Sequence, residues 1–296
     1  MIETDYLAPK GNCGRRPEDG LPRPSPRARD GLGRPSSGHH AQPLGDDELD
    51  QYHELGFVVR RNLFGMEEIA ALADEADRLL ADCKHLIDRN NLRCRFMQHV
   101  DSGEPLFEVF DPVSDISPLC ARLTEDRRVR VLVDAIYGEP ACLFKDKLIF
   151  KMPGAPGYPL HQDIPRSWSG FPRSFLTVLI PIDAPTEANG CTEVFSGYHH
   201  GFLFPENEDL YMLPDDCVAA SRSVKLLLEP GDVAVFHGLT PHRSAPNRST
   251  AMRRAFYVSY NALSDGGDQR SRHYVQFHDF LRARLAADAP QSTYFR

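Results

Sequence analysis

The chain has 296 residues, 41% of them hydrophobic, which is enough to bury one sizeable core, and all-β barrels reach this length as a single domain. A formal net charge of -8 gives no overall attraction to nucleic acid or to an anionic membrane, and no run approaches the roughly 18 apolar residues of a membrane span, so neither partner is expected. Seven cysteines without a C-x-x-C pair argue against a closed disulfide framework, and no basic-then-apolar leader opens the chain; both point to a reducing, cytoplasmic setting.

Residues 1–45 are crowded with Pro, Gly, Arg and Ser, as in Pro22-Arg23-Pro24-Ser25-Pro26, and predict a disordered tail. The folded domain is expected over 46–296. It opens with Leu49, Tyr52 and Leu55, a short helical pattern leading into the apolar run Phe57-Val58-Val59. Between Met66 and Cys83 the residues Ile69, Leu72, Ala76, Leu79 and Leu80 recur at three- and four-residue steps, giving a helix with one buried stripe and Glu67, Asp74 and Arg78 outside it. Leu123, Val129, Leu132, Val133 and Ile136 predict a further helix closed by Gly138. From residue 142 the pattern changes to short β-like runs at 143–150, 175–182, 192–195, 224–228, 233–236 and 255–260, separated by turns such as Asn189-Gly190 and Pro230-Gly231-Asp232. Residues 269–286 form a closing helix. This order predicts a mainly β sandwich or jelly roll with helices packed outside.

The chemistry gathers at His161-Gln162-Asp163. Residues two apart on a strand share a face, so the imidazole and the carboxylate can converge on one ion. His242, in Thr240-Pro241-His242-Arg243-Ser244, stands 81 residues later and supplies a third donor. Two histidines and one carboxylate leave coordination positions open, which suits iron(II) binding a bidentate 2-oxo acid and O2; a closed structural zinc site would need a fourth protein ligand. An isolated H-x-D recurs by chance, and the downstream half strengthens it. Arg253, eleven residues after His242, opens the final strand and can grip a distal carboxylate in a fork. Ser244, on the face of His242 if the segment is extended, can donate its hydroxyl to the same group.

Four stretches carry a resemblance to the phytanoyl-CoA dioxygenase superfamily of iron- and 2-oxoglutarate-dependent oxygenases. They are Tyr52-His53-Glu54-Leu55-Gly56-Phe57-Val58-Val59; Pro159-Leu160-His161-Gln162-Asp163; Glu187-Ala188-Asn189-Gly190-Cys191 through Ser196-Gly197-Tyr198-His199; and Gly231-Asp232 through His242-Arg243-Ser244-Ala245-Pro246-Asn247. The resemblance implies a double-stranded β-helix, a cupin-like jelly roll, with iron on His161, Asp163 and His242 and the side-chain carboxylate of 2-oxoglutarate on Arg253. It favours His242 over His237 as the distal ligand and gives His199 a structural place. Halogenating relatives replace the metal carboxylate with a small residue, so Asp163 implies hydroxylation, with succinate and CO2 released. Where many members carry Trp before the Asn-Gly-Cys turn, this chain has Leu179. The spacing of Phe144-Lys145-Asp146-Lys147 is also similar to bacterial 2-aminoethylphosphonate dioxygenases of the superfamily, which implies a small, polar or anionic substrate.

Lys145 and Lys147 alternate along one strand, so both can face one side. Inside a barrel two cations need anions to pair with, either the C1 end of 2-oxoglutarate or an anionic substrate group; on the outer face they would simply be solvated. Arg166, Trp168 and Arg173 follow the H-x-D in a loop at the barrel mouth, where substrate contacts concentrate. Two rival readings use the same residues: a cupin-like metal isomerase or hydrolase, and a barrel that binds a ligand without turnover.

Overall fold

The computed structural model describes residues 42–164, 171–203 and 212–285. Its elements in chain order are α1 (Asp46–Leu55), β1 (Phe57–Arg60), α2 (Met66–Asp82), β2 (Cys94–Gln98), β3 (Pro105–Phe110), α3 (Pro118–Thr124), α4 (Arg127–Tyr137), β4 (Ala141–Lys151), β5 (Tyr158–His161), β6 (Leu176–Pro181), β7 (Thr192–Phe195), β8 (Ser223–Lys225), β9 (Val233–His237), β10 (His242–Ser244), β11 (Arg253–Ala262) and α5 (Arg270–Leu285). The tail expected over residues 1–45 lies outside the described residues as far as 41, while Leu44 is already buried in the core. No described helix is long and apolar enough to cross a membrane.

Local sequence explains the helix ends. The Glu48 carboxylate accepts from Gly45 N at 2.9 Å and the Glu68 carboxylate from Gly65 N at 2.9 Å, so each helix has an acid satisfying an orphan amide at its start. The stripe foreseen on α2 is the buried one: Ile69, Leu72, Ala76 and Leu79. The single helix expected to end at Gly138 is instead two, α3 and α4. Asp126 leaves helical geometry between them, and its side chain accepts from Arg128 N at 2.9 Å, so a capping aspartate stops one helix and starts the next.

The strands form two antiparallel sheets, one of seven strands in the order β1-β9-β6-β11-β4-β3-β2 and one of four in the order β5-β10-β7-β8. Alternation along each strand divides the side chains between two cores. Leu148, Phe150, Val178, Ile180, Val235, Phe256 and Val258 point outward onto Leu72, Leu79, Leu132 and Val133 of the helices. Val59, Ile149, Leu179, Ala234, Phe236, Ala255 and Tyr257 point inward, where Val194 of the smaller sheet meets them. Each fully buried Leu, Ile, Val or Phe contributes about 1.5–3 kcal/mol, so the outer layer of helices and sheet supplies much of the stability and leaves the space between the sheets free to be polar.

Sequence periodicity passed over β2, β3, β5 and β10. β10 has only three residues and β5 four, too short for a period, while β2 and β3 carry Arg95 and Glu108 at an irregular register between Arg95 and Phe96. α5 docks against the β2–β3–β4 edge through polar contacts. Tyr274 donates to Asp111 at 2.9 Å, and Arg270 reaches Asp146 at 2.5 Å. Asp146, fully buried, also accepts from Val113 N at 2.9 Å, Ser114 N at 2.8 Å and Ser114 Oγ at 2.9 Å. Asp146→Ala strips acceptors from buried donors and removes the nearest carboxylate from Arg270, leaving it the Ser114 hydroxyl at 2.9 Å and Asp115 at 4.0 Å. It is expected to lower the unfolding free energy in urea by about 3–5 kcal/mol; a loss under about 1 kcal/mol would show that the helix is held by other means.

Candidate active site

β5 and β10 pair antiparallel with His161 directly opposite His242, and the two rings lie 4.1 Å apart at their centroids. Each imidazole is oriented the same way: Nδ1 of His161 meets Pro159 O at 2.8 Å and Nδ1 of His242 meets Thr240 O at 2.9 Å. A carbonyl only accepts, so Nδ1 carries the proton in both rings and Nε2 offers its lone pair. Both Nε2 atoms face Asp163 Oδ1, each at 3.9 Å, while Asp163 Oδ2 accepts from Thr177 Oγ1 at 3.1 Å. The three donor atoms lie within 4.8 Å of one another, all on buried residues.

Burial first, then the neighbouring His242, push His161 down to about 3, and burial likewise lowers His242. Burial alone would raise the Asp163 carboxyl, but His242, Lys145 and Lys147 outweigh it and hold it well below the usual carboxylate range. Neutral imidazoles beside an ionised carboxylate are the protonation states a divalent metal requires. Gln162, between the two ligands, points away and knits the surrounding loops. Its amide donates to Leu239 O at 2.7 Å and Gly201 O at 2.9 Å and accepts from Leu203 N at 3.0 Å. The Asp163 amide is fixed in turn by donating to Gly238 O at 2.7 Å.

A second polar group lies at the start of β11. Arg253 is 3% exposed, its Nε has no hydrogen-bond partner, and it sits across the ladder from Lys151. Lys151 Nζ donates to Ser244 Oγ at 2.9 Å and to Gly190 O at 3.1 Å, and it contacts Ala245 O. Gly190 takes φ 71°, and a Cβ there would stand 2.6 Å from Lys151 Nζ, so the Asn-Gly-Cys turn needs glycine both for its backbone and for the lysine beside it. Arg253, Lys151 and the Ser244 hydroxyl make no ion pair with a carboxylate of the described residues, and together they fit a dicarboxylate's distal end. Burial and then Arg253 push Lys151 down to about 7. Sequence reasoning missed Lys151; the alternation that singled out Lys145 and Lys147 reaches it four residues further on, past Ile149. A groove of about 510 Å³ between Gln98, His99, Tyr158 and Pro159 has Ser244 in its lining.

Lys145 and Lys147 lie on the inner face of β4, opposite Ser259 and Tyr257, and the charges of both act on Asp163. The Lys147 ammonium stands 5.3 Å from the Tyr257 ring centroid. Lys145, expected among the 2-oxoglutarate contacts, is six residues along β11 from Arg253, or about 20 Å of strand. It stands toward the metal end, the side on which the C1 end of 2-oxoglutarate was expected, and not beside Arg253. Arg173 is exposed, and its backbone N donates to Asp265 at 2.7 Å, which places it at the surface; Arg166 and Trp168 lie outside the described residues. His237 Nε2 is occupied by Ser174 Oγ at 3.1 Å and its Nδ1 by Leu239 N at 3.0 Å, so it is not a ligand. His199 packs near His200 and Tyr52, and Leu179 takes part in the inner core.

A buried set of two histidines and one carboxylate between the sheets of a β jelly roll defines a candidate site for a single metal ion with open coordination positions. The family model described as Phytanoyl-CoA dioxygenase (PhyH) matches residues 52–255, and the chain belongs to this family; it is an oxidoreductase of the dioxygenase class. It is 36% identical over 237 residues to methylphosphonate hydroxylase from Gimesia maris, covering 78% of this chain and 86% of that one. It is 38% identical over 140 residues to 2-aminoethylphosphonate dioxygenase from Uncultured bacterium HF130_AEPn_1, a match that takes in 46% of this chain and 51%, about half, of that relative. Among solved structures, EctD from S. alaskensis with 2-oxoglutarate and 5-hydroxyectoine has a TM-score of 0.61, covering 81% of this chain and 86% of that chain at 22% identity, which shows the shared fold.

The depressed Lys151 gives a linkage with a definite sign. An unfolded lysine titrates near 10.4, so between about 7 and 10 the unfolded chain binds more protons than the folded one at this site, and stability gains from rising pH. Lys151→Met removes that term. The slope of unfolding free energy against pH over this window is expected to fall by up to about 1.4 kcal/mol per pH unit relative to wild type, read by urea titration at successive pH values; identical slopes would show that Lys151 titrates normally.

Proposed function

We propose that the chain is an Fe(II)- and 2-oxoglutarate-dependent dioxygenase that hydroxylates an unactivated C–H bond of a small anionic metabolite, with a phosphonate the substrate class suggested by the relatives that match it. The observation that carries this reading is the pairing of two separate polar groups on one inner face: the buried His161–Asp163–His242 set, and Arg253 with its orphaned Nε beside Lys151 and Ser244. In a metal isomerase or hydrolase the second group would have to bind the substrate itself.

His161, Asp163 and His242 would hold the iron, leaving open positions for a 2-oxo acid and O2. When bound, iron and 2-oxoglutarate supply the oxidation: one oxygen atom of O2 enters succinate as CO2 leaves, and the other enters the substrate C–H as hydroxyl. The side chains of this chain position and insulate. Arg253 and Lys151 would take the distal carboxylate, and Ser244, whose oxygen accepts from Lys151 and from the Tyr158 amide at 3.3 Å, is left with its hydroxyl proton to donate to it. Thr177 fixes Asp163 so that Oδ1 faces the metal position. Phe144, Ile164, Phe171, Phe175 and Leu239 form an apolar cluster next to Asp163 that lowers the local dielectric and keeps water off the reacting carbon. No side-chain base is needed for this reaction.

Anaerobic addition of Fe(II) and 2-oxoglutarate to the wild-type protein should produce the weak visible charge-transfer band of a chelated 2-oxo acid. Asp163→Ala is expected to abolish it, and Arg253→Met to raise the 2-oxoglutarate needed for half saturation by about 10- to 100-fold, the worth of a charge-assisted pair. Folded, iron-loaded wild type without the band would overturn the reading.

A further inference from the structure

The larger sheet ends in β1 and β2 and the smaller in β5 and β8, so the space between the sheets has two seams. At the β1–β8 seam, Leu55 and Phe57 on one side and Leu226 and Leu228 on the other belong to one buried apolar cluster. The β2–β5 seam is built differently. Toward the metal set it is closed by backbone, since Leu213 N donates to Leu160 O at 2.7 Å and Met212 bridges to His161. At its other limit Val100 N donates to Gly154 O at 2.9 Å and Gly154 N to Asn247 O at 2.8 Å. Between these closures lies the groove of about 510 Å³, walled by Gln98 and Val100 from the β2 side and by Tyr158 and Pro159 of β5, with Ser244 in its lining.

Ser244 joins this groove to the buried cations. Its Oγ accepts from the Tyr158 amide on the groove wall at 3.3 Å and from the Lys151 ammonium at 2.9 Å, and Arg253 faces Lys151 across the ladder. Gly157 lets β5 come this close, because a Cβ there would stand 1.9 Å from Ser244 O. On the opposite wall Asp101 N and Ser102 N donate to His99 Nδ1 at 3.1 and 3.3 Å, so Nε2 carries the proton and can donate to a passing carboxylate. We propose that this groove is the passage for a dicarboxylate, by which 2-oxoglutarate reaches Arg253 and Lys151 and succinate leaves; the identity of the cargo rests on the oxygenase reading above. An anion crosses a polar lining at less cost than an apolar seal, and two cations behind one hydroxyl draw it inward.

Gln98 and Val100 are exposed, so both can be enlarged without cutting into the core, and circular dichroism checks the fold of each variant. The rates of 2-oxoglutarate binding are followed anaerobically by stopped flow, through the charge-transfer band of the Fe(II) form. In the double variant Gln98→Trp, Val100→Trp, association and dissociation are expected to slow together by about 10-fold with the equilibrium affinity unchanged, as a narrowed passage requires. Val100→Glu should slow association by about 10-fold at low salt, and the difference should close at about 1 M salt, where charges are screened within about 3 Å. Leu227→Glu, the same change of charge at an exposed residue beyond the β8 edge, is expected to leave both rates as in wild type. Succinate exchange on the metal-free chain, read from NMR line widths, should slow in the same groove variants, which tests the passage even where the band fails to form and the oxygenase reading with it. Rates unchanged in both assays, a change confined to affinity, or a wild type that binds neither succinate nor 2-oxoglutarate would overturn the proposal.

Discussion

Positive charge placed between two sheets is the condition that shapes this molecule. Lys145, Lys147, Lys151 and Arg253 all point inward from the paired strands β4 and β11, and removing such ions from water costs several kcal/mol each unless anions and hydrogen bonds compensate. The rest of the architecture accommodates that cost. The apolar work moves to the opposite face of the seven-stranded sheet, where Leu148, Phe150, Phe256 and Val258 meet α2 and α4. The inner face keeps only a smaller apolar cluster, and Glu108, Asp111 and Asp163 come to the same side as the cations. A sheet packed this way is stabilised on one face and reactive on the other.

The metal donors themselves stand on short pieces of backbone, β5 and β10, which could not be held by periodic packing alone. They are held by specific hydrogen bonds instead. The carbonyls of Pro159 and Thr240 orient the two imidazoles, Thr177 orients the carboxylate, and Gln162 ties the local chain to residues 201, 203 and 239. Each imidazole is therefore fixed by the carbonyl two residues before it and the carboxylate by Thr177 of β6, as a site that must bind an ion without reorganising requires.

Much of this was visible in the residues before any coordinates, and what was missed has a physical cause. The helices α1, α2 and α5 and the long strands β4, β6, β9 and β11 announce themselves because a repeated period over many residues is a strong signal. His161, Asp163, His242, Ser244 and Arg253 were visible because one motif and its downstream partner fix them. The division of one expected helix at Asp126 was hidden because a capping aspartate looks the same in sequence as one exposed on a helix surface. β2 and β3 were hidden by inward charges that break their alternation, the same charges that serve the site. Lys151 was overlooked although it obeys the alternation of Lys145 and Lys147, because only its contact with Ser244 and Arg253 across the barrel gives it meaning, and that contact spans about a hundred residues of chain.

The two ends of the inner face differ in how freely they can change. At the Arg253 end, Lys151, Ser244, Gly190 and Ala245 interlock so closely that a Cβ on Gly190 would collide with the lysine, and a substitution there disturbs several contacts together. At the other end, Lys145 and Phe144 lie at a register irregularity, and the wall beyond them is built from α5, whose His273, Tyr274 and Phe277 meet Phe144, Asp111 and Arg95. A bulge lets a strand re-aim a side chain without disturbing its neighbours, and a helix docked through polar side chains can be altered without unpicking the sheet. The β2–β3–β4–α5 side therefore has more freedom to change its side chains, while the strands that carry the metal donors and the buried arginine have little room to differ.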